Sequence, residues 1–187
     1  MAGMQPESFA RWSPDTTRTP ADVVVRLGAE GDVAACVRLV LSLDLDDEAA
    51  WRQTLTRTVQ DGERRALFVA EAGGHVVGYG RVVHTEPDRG IPSAAPRGWY
   101  LLGLVVDRAW RRRGIGEALT KARMAWVAER SDRLYYFTGH GNLASQALHE
   151  RLGFRPLPGG WIPPGGTPED ARTQRFYSVD LQKPHHP

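Results

Sequence analysis

The stretch Val105-Val106-Asp107-Arg108-Ala109-Trp110-Arg111-Arg112-Arg113-Gly114-Ile115-Gly116 holds residue types that bind phosphate. An apolar run ends in a basic turn, and the turn opens a helical pattern. The first N–H groups of a helix lack intrahelical partners, and the helix dipole there favours anions. Gly114 and Gly116 let a bulky ligand approach the main chain, and Arg111, Arg112 and Arg113 add positive charge at the same place. Pyrophosphate is the anion that suits such a site best. A Walker loop requires G-x-x-x-x-G-K-[ST], which is absent. A dinucleotide fingerprint requires a third glycine where Leu119 stands. What remains is Arg-x-x-Gly-x-Gly after a strand.

A second segment lies downstream, running from Asn142-Leu143-Ala144-Ser145 through Ala147-Leu148-His149 to Leu152-Gly153-Phe154. Together and in this order, the two segments resemble the acyl-CoA-binding motifs of the GNAT N-acetyltransferase superfamily. The likeness is loose from about Val23 to Leu181 and specific from Trp99 to Phe154. The Leu148-His149 pair before Leu152-Gly153-Phe154 is similar to that of aminoglycoside 6′-N-acetyltransferase-like members.

The resemblance implies acetyl-CoA as co-substrate, a primary amine as acceptor and direct transfer through a tetrahedral intermediate. It implies that Arg111, Arg112, Arg113, Gly114, Ile115 and Gly116 wrap the pyrophosphate. It also implies that the backbone of Leu104, Val105 and Val106 pairs with pantetheine at a place where the strand splays from its neighbour. One of those N–H groups would hold the thioester oxygen, and Asn142 would contact the pantetheine arm or its acetyl end. A protein or peptide acceptor is the alternative, as is an acyl-CoA-binding regulator without turnover.

An alkylamine with a pKa of about 10.4 is neutral in only about one molecule in 2,500 at pH 7, so a base or a water chain is expected. Glu86, Asp88, His84 and Tyr100 are the candidates, and nothing in the sequence selects among them. Many GNAT enzymes carry a tyrosine as general acid where this chain has His149. A histidine there either protonates the leaving thiolate or stands by on a helix face. Asp44, Asp46, Asp47 and Glu48 form an acidic turn that either caps a helix or attracts a cationic, even polycationic, small-molecule acceptor.

The elements that must position these residues follow from pattern. Strands are expected at Val23–Leu27, Ala66–Glu71, Val76–Val83, Trp99–Val106, Leu134–Thr138 and Phe176–Leu181. Gly73-Gly74 would close a hairpin. One helix should bury Val33, Cys36, Val37, Val40 and Leu41, and a second Trp51, Leu55 and Val59. A third should bury Ile115, Ala118, Leu119, Ala122 and Trp126. A fourth, capped by Asn142, should bury Ala144, Ala147, Leu148 and Leu152. Pro/Gly-rich loops are expected over about 85–98 and 156–173. The order β-α-α-β-β-β-α-β-α-β predicts an α/β (α+β) fold of GNAT type, a mixed central sheet with helices on both faces.

At 187 residues the chain suits one domain over 21–183, with a disordered segment at 1–20 and a tail at 184–187. The net charge of +2 and one basic patch argue against a nucleic-acid partner. No apolar stretch is long enough to span a membrane, and the N-terminal segment lacks the apolar core of a secretory signal. With the lone Cys36, a core residue, this reads as cytoplasmic. No metal site is expected, since His185-His186 alone does not make one. Oligomeric state stays open, a homodimer included. Trp99, Tyr100, Tyr135, Tyr136 and Phe137 read as sheet packing rather than a substrate cage.

Overall fold

The structure, a computed structural model, describes residues 22–43, 47–86 and 94–182. Seven strands form one sheet in the order β1-β2-β3-β4-β5-β7-β6. The strands are β1 Val23–Leu27, β2 Arg65–Ala72, β3 His75–Thr85, β4 Gly98–Val106, β5 Arg133–Gly139, β6 Arg155–Pro156 and β7 Gln174–Asp180. The helices are α1 Val33–Leu41, α2 Glu48–Gln60, α3 Ile115–Ala128, α4 Leu143–Arg151 and the short α5 Asp170–Thr173. The mixed sheet flanked by helices matches the expected fold class. The second Pro/Gly-rich segment departs from expectation, because it contains β6 and α5. The expected disordered segment 1–20, the tail, Asp44, Asp46 and Asp88 lie outside the described residues.

Local chemistry explains the main turns. Gly73 and Gly74 take φ of +55° and +76° between β2 and β3, conformations that a Cβ would strain. Strands β1 to β4 form an antiparallel meander. β4 and β5 are parallel, which requires a crossover, and α3 supplies it. Asn142 caps α4 through its side-chain oxygen, which accepts from the Ser145 N–H at 3.2 Å.

Two packed layers result. On one face, α1 and α2 bury Cys36, Val37, Val40 and Leu55 against Leu67, Val69, Tyr79 and Val105. On the other, α3 sets Ile115, Leu119 and Val127 against Phe68, Ala70, Val82 and Tyr136. The expected aromatics are indeed packed, with Trp99, Tyr100 and Tyr136 buried. Two helix faces differ from expectation. In α3 the buried set includes Thr120 and Arg123, and in α4 it is Gln146 and His149 that are enclosed rather than the alanines and Leu148.

Candidate active site

The pairing of β4 with β5 ends early. Trp99, Tyr100 and Leu101 face Leu134, Tyr135 and Tyr136, and beyond them the two strands have no shared ladder. β5 continues along β7 to Gly139, and β4 continues along β3 to Val106. A gap therefore opens between Leu102–Val106 and Phe137–Gly139, bordered by backbone groups without a strand partner on that side. The expected splay is present. A bulge accompanies it, because Gly103 and Leu104 together oppose Gly80 on β3. Gly103 has φ of +56°, which makes a glycine the natural occupant.

At the end of β4 the chain makes a short 3-10 turn over Arg108–Trp110. Asp107 caps it by accepting from the Ala109 N–H at 2.8 Å. Arg111 reaches back, its Nε donating to the Val106 carbonyl at 3.1 Å, while Arg113 lies over the Trp110 ring at 4.9 Å. Arg112 and Gly114 both adopt left-handed conformations, with φ of 65° and 77°. Gly114 is the residue from which α3 starts. Gly116 follows in the first turn, where an added Cβ would meet only Leu104 and Leu148 at 3.6 and 3.7 Å. Leu104, Val105, Val106, the three arginines, Gly114, Ile115 and Gly116 are thus contiguous along the strand-to-helix junction. Asn142 stands across the gap at the start of α4.

His149 is in a different setting from the one its expected proton-donor role needs. It is fully buried, stacked on Tyr136 with ring centroids 3.6 Å apart, and edge-on to Phe154. Nδ1 lies 2.8 Å from the Ser145 carbonyl, which can only accept, so Nδ1 carries the proton. Nε2 is buried without a partner. Burial pushes the imidazole pKa down to about 3, with nearby Arg123 adding to the fall. The ring is therefore neutral at pH 7 and has no imidazolium proton to give.

The described base candidates, Glu86, His84 and Tyr100, are also held by neighbours. Glu86 accepts from Arg64 at 2.6 Å and from Arg97 at 3.0 Å. His84 packs edge-on to Trp99, and burial lowers its pKa. Tyr100 donates its hydroxyl to the Pro96 carbonyl at 2.7 Å, and burial raises its pKa. Within the acidic turn, Asp47 caps α2 by accepting from the Ala50 N–H at 2.9 Å, and Glu48 pairs with Arg52 at 2.6 Å. No cluster able to hold a metal occurs among the described residues. None of the described helices is long and apolar enough to cross a membrane.

Two groups that sequence reading passed over lie against the bulge, at Gly103 and Gly80. Arg81 on β3 lies over the Trp51 ring at 5.8 Å, and its Nε is buried without a hydrogen bond. Arg123 on α3 occupies the space left by Gly80, where a Cβ would stand 2.8 Å from its Cζ. Its donors reach the Leu119 and Arg81 carbonyls and the Thr120 hydroxyl. The available signal was an arginine inside each of two otherwise apolar patterns.

The profile of the acetyltransferase (GNAT) family matches residues 37–154, more than half of the chain. An aminoglycoside N(6′)-acetyltransferase type 1 from Stenotrophomonas maltophilia is 29% identical over 133 residues, covering 70% of this chain and 84% of that protein. The solved ribosomal-protein-alanine N-acetyltransferase from Brucella melitensis superposes with a TM-score of 0.65 at 25% identity, over 84% of this chain and 99% of that one. A ribosomal L7/L12 alpha-N-protein acetyltransferase solved with coenzyme A gives a TM-score of 0.65 at 17% identity, over 90% of this chain and 99% of that one, a likeness of fold. The chain belongs to the GNAT family of acetyltransferases. It is an N-acetyltransferase.

Proposed function

We propose that this chain transfers the acetyl group of acetyl-CoA to a primary amine on a small molecule. One observation carries the reading: the gap between β4 and β5 opens beside the glycine turn that starts α3. An anion-binding helix end and a row of unpaired strand groups thus lie along one junction. That combination suits a ligand with a pyrophosphate at one end and an extended, amide-bearing arm at the other.

In this reading the segment Arg111–Gly116 holds the pyrophosphate, the backbone of Leu104–Val106 pairs with the arm, and Asn142 borders its acyl end. Acetyl-CoA supplies the activated acyl group; the reaction forms a C–N bond, breaks a C–S bond and releases the thiol. A β4 N–H facing the gap would stabilise charge on the thioester oxygen, a contribution of about 3 kcal/mol for such a donor. His149, neutral and enclosed, acts as a positioning residue that holds Tyr136 against α4. The leaving thiol has a pKa of about 8.5, so its thiolate departs without an acid.

Similarity to the aminoglycoside acetyltransferase supports a small acceptor. So does the meeting of the two Pro/Gly-rich segments, where Ala95 N–H donates to the Ile162 carbonyl at 3.0 Å. Asp47 and Glu48 already have partners, so attraction of a cationic acceptor to the acidic turn would rest on Asp44 and Asp46. The likeness to the ribosomal-protein-alanine enzyme favours a second reading, with a peptide N-terminus as acceptor.

Calorimetric titration with acetyl-CoA, on the wild type and on Gly114→Glu, is the direct test. A negative side chain at the helix start should abolish binding that the wild type shows. Thiol release would then be screened over amines and peptides. Failure of the folded wild type to bind would refute the proposal, and binding without turnover of any amine would turn it into a sensor.

A further inference from the structure

We infer that Arg81 is the anchor for a carboxylate on the acceptor, so that the acceptor is an amino acid-like molecule bearing both an amine and an acid. The inference rests on the acetyltransferase reading above and narrows its substrate class.

Arg81 sits opposite Leu102 on β4, immediately past the last residue, Leu101, that pairs with β5. It is therefore level with the opening of the gap. A Cβ built on Gly103 would lie 3.2 Å from Arg81 Nε and 3.5 Å from Nη2, so the guanidinium rests against the backbone of the bulge. Trp51 of α2 covers it from the helix side. The residue as a whole is half-buried, with Nε enclosed.

This guanidinium has no acid partner among the described residues. Its Nε is enclosed and unbonded, and the hydroxyl of Tyr79, nearby on the same strand, is also buried without a partner. Buried charges in proteins are ordinarily paired, because an unpaired one carries the full cost of desolvation. Arg123 shows the contrast: on the opposite face of the sheet, its nitrogens all have acceptors. Arg81 lacks them, which marks a place that a ligand completes.

The face on which Arg81 lies decides which ligand. The glycine turn belongs to α3, which packs on the other side of the sheet from α1 and α2. Arg81 with Trp51 is on the α1 and α2 side, away from the phosphate-binding helix end. The group it meets therefore comes from the acceptor. A planar guanidinium fork matches a carboxylate with two parallel hydrogen bonds. A carboxylate there would also offset the repulsion that Arg81 exerts on an ammonium.

The test is thiol release from acetyl-CoA with glycine, β-alanine, 4-aminobutanoate and 5-aminopentanoate, each beside its carboxamide, together with an aminoglycoside. At least one carboxylate should exceed its carboxamide in kcat/KM by about 10- to 150-fold, the worth of a charge-assisted hydrogen bond. In Arg81→Gln, with folding checked by circular dichroism, that ratio should fall towards one, and Arg81→Lys should recover part of it. The inference is overturned if no carboxylate is preferred, if only the aminoglycoside reacts, or if the preference survives in Arg81→Gln. An equal loss for both members of a pair also overturns it, by moving Arg81 to the reacting thioester. Failure of the wild type to bind acetyl-CoA is a separate result and defeats the acetyltransferase reading itself.

Discussion

At the scale of single residues, the buried side chains separate packing from chemistry. His149 was the candidate acid by its place in the motif, and the motif was legible in the sequence. Its burial was not, because α4 turns Gln146 and His149 inward and leaves its alanines at intermediate depth. No polarity pattern announces that choice; it follows from the flat ring of Tyr136, against which an imidazole stacks well. The placement has a pH signature. His149 has its pKa lowered from 6.5 to about 3 on folding, so between those values the unfolded chain binds the extra proton. Its share of stability is complete above pH 6.5 and is lost as pH falls towards 3. By pH 5 the loss should be about 2 kcal/mol, at about 1.4 kcal/mol for each pH unit. Denaturant unfolding of the wild type and His149→Asn at pH 7 and pH 5 measures it, since the stability difference between the two should shrink by that amount. A difference independent of pH would mean that the ring is already exposed.

At the scale of elements, the strand-to-helix junction was readable because its requirements are stated by glycine. Gly114 takes a positive φ at the start of α3, as the turn demands. The bulge at Gly103 was not readable: within the apolar run Trp99–Val106, a glycine looks like a lapse in the pattern rather than a second residue opposite Gly80. Arg123 was missed for a related reason, since the cavity that admits it is made by a missing side chain on another strand. Gly116 tests what the junction is for. A Cβ there meets Leu104 and Leu148 only at ordinary contact distance, so the fold has room for alanine. Gly116→Ala should melt at the same temperature or slightly higher, because alanine is favoured over glycine within a helix by up to about 1 kcal/mol. Its affinity for acetyl-CoA should nonetheless fall, by about tenfold or more, if the main chain must lie against the pyrophosphate. Melting curves and calorimetry on the same sample separate the two effects. Unchanged affinity would remove Gly116 from the binding surface.

At the scale of the whole molecule, the sheet is two blocks joined along a short seam. β1 to β4 form one antiparallel block and β5, β7 and β6 the other, and three residue pairs between β4 and β5 connect them. α3 spans the seam, with Leu119 and Val127 in the cluster that also holds Leu134 and Tyr136. A ligand in the gap would extend the seam, binding the folded state and not the unfolded chain. At a concentration one hundred times its dissociation constant it should stabilise the fold by about 2.7 kcal/mol. For a domain of this size that corresponds to a rise in Tm of roughly 5 to 11 °C. Hydrogen exchange should slow most at those amides of 102–106 and 137–139 that point into the gap rather than at β3 or β7, while β1 and β2 change little. Gly114→Glu should abolish both effects. Protection spread evenly over the sheet would indicate binding elsewhere, because only a ligand seated between β4 and β5 supplies the partners that this stretch of the ladder lacks.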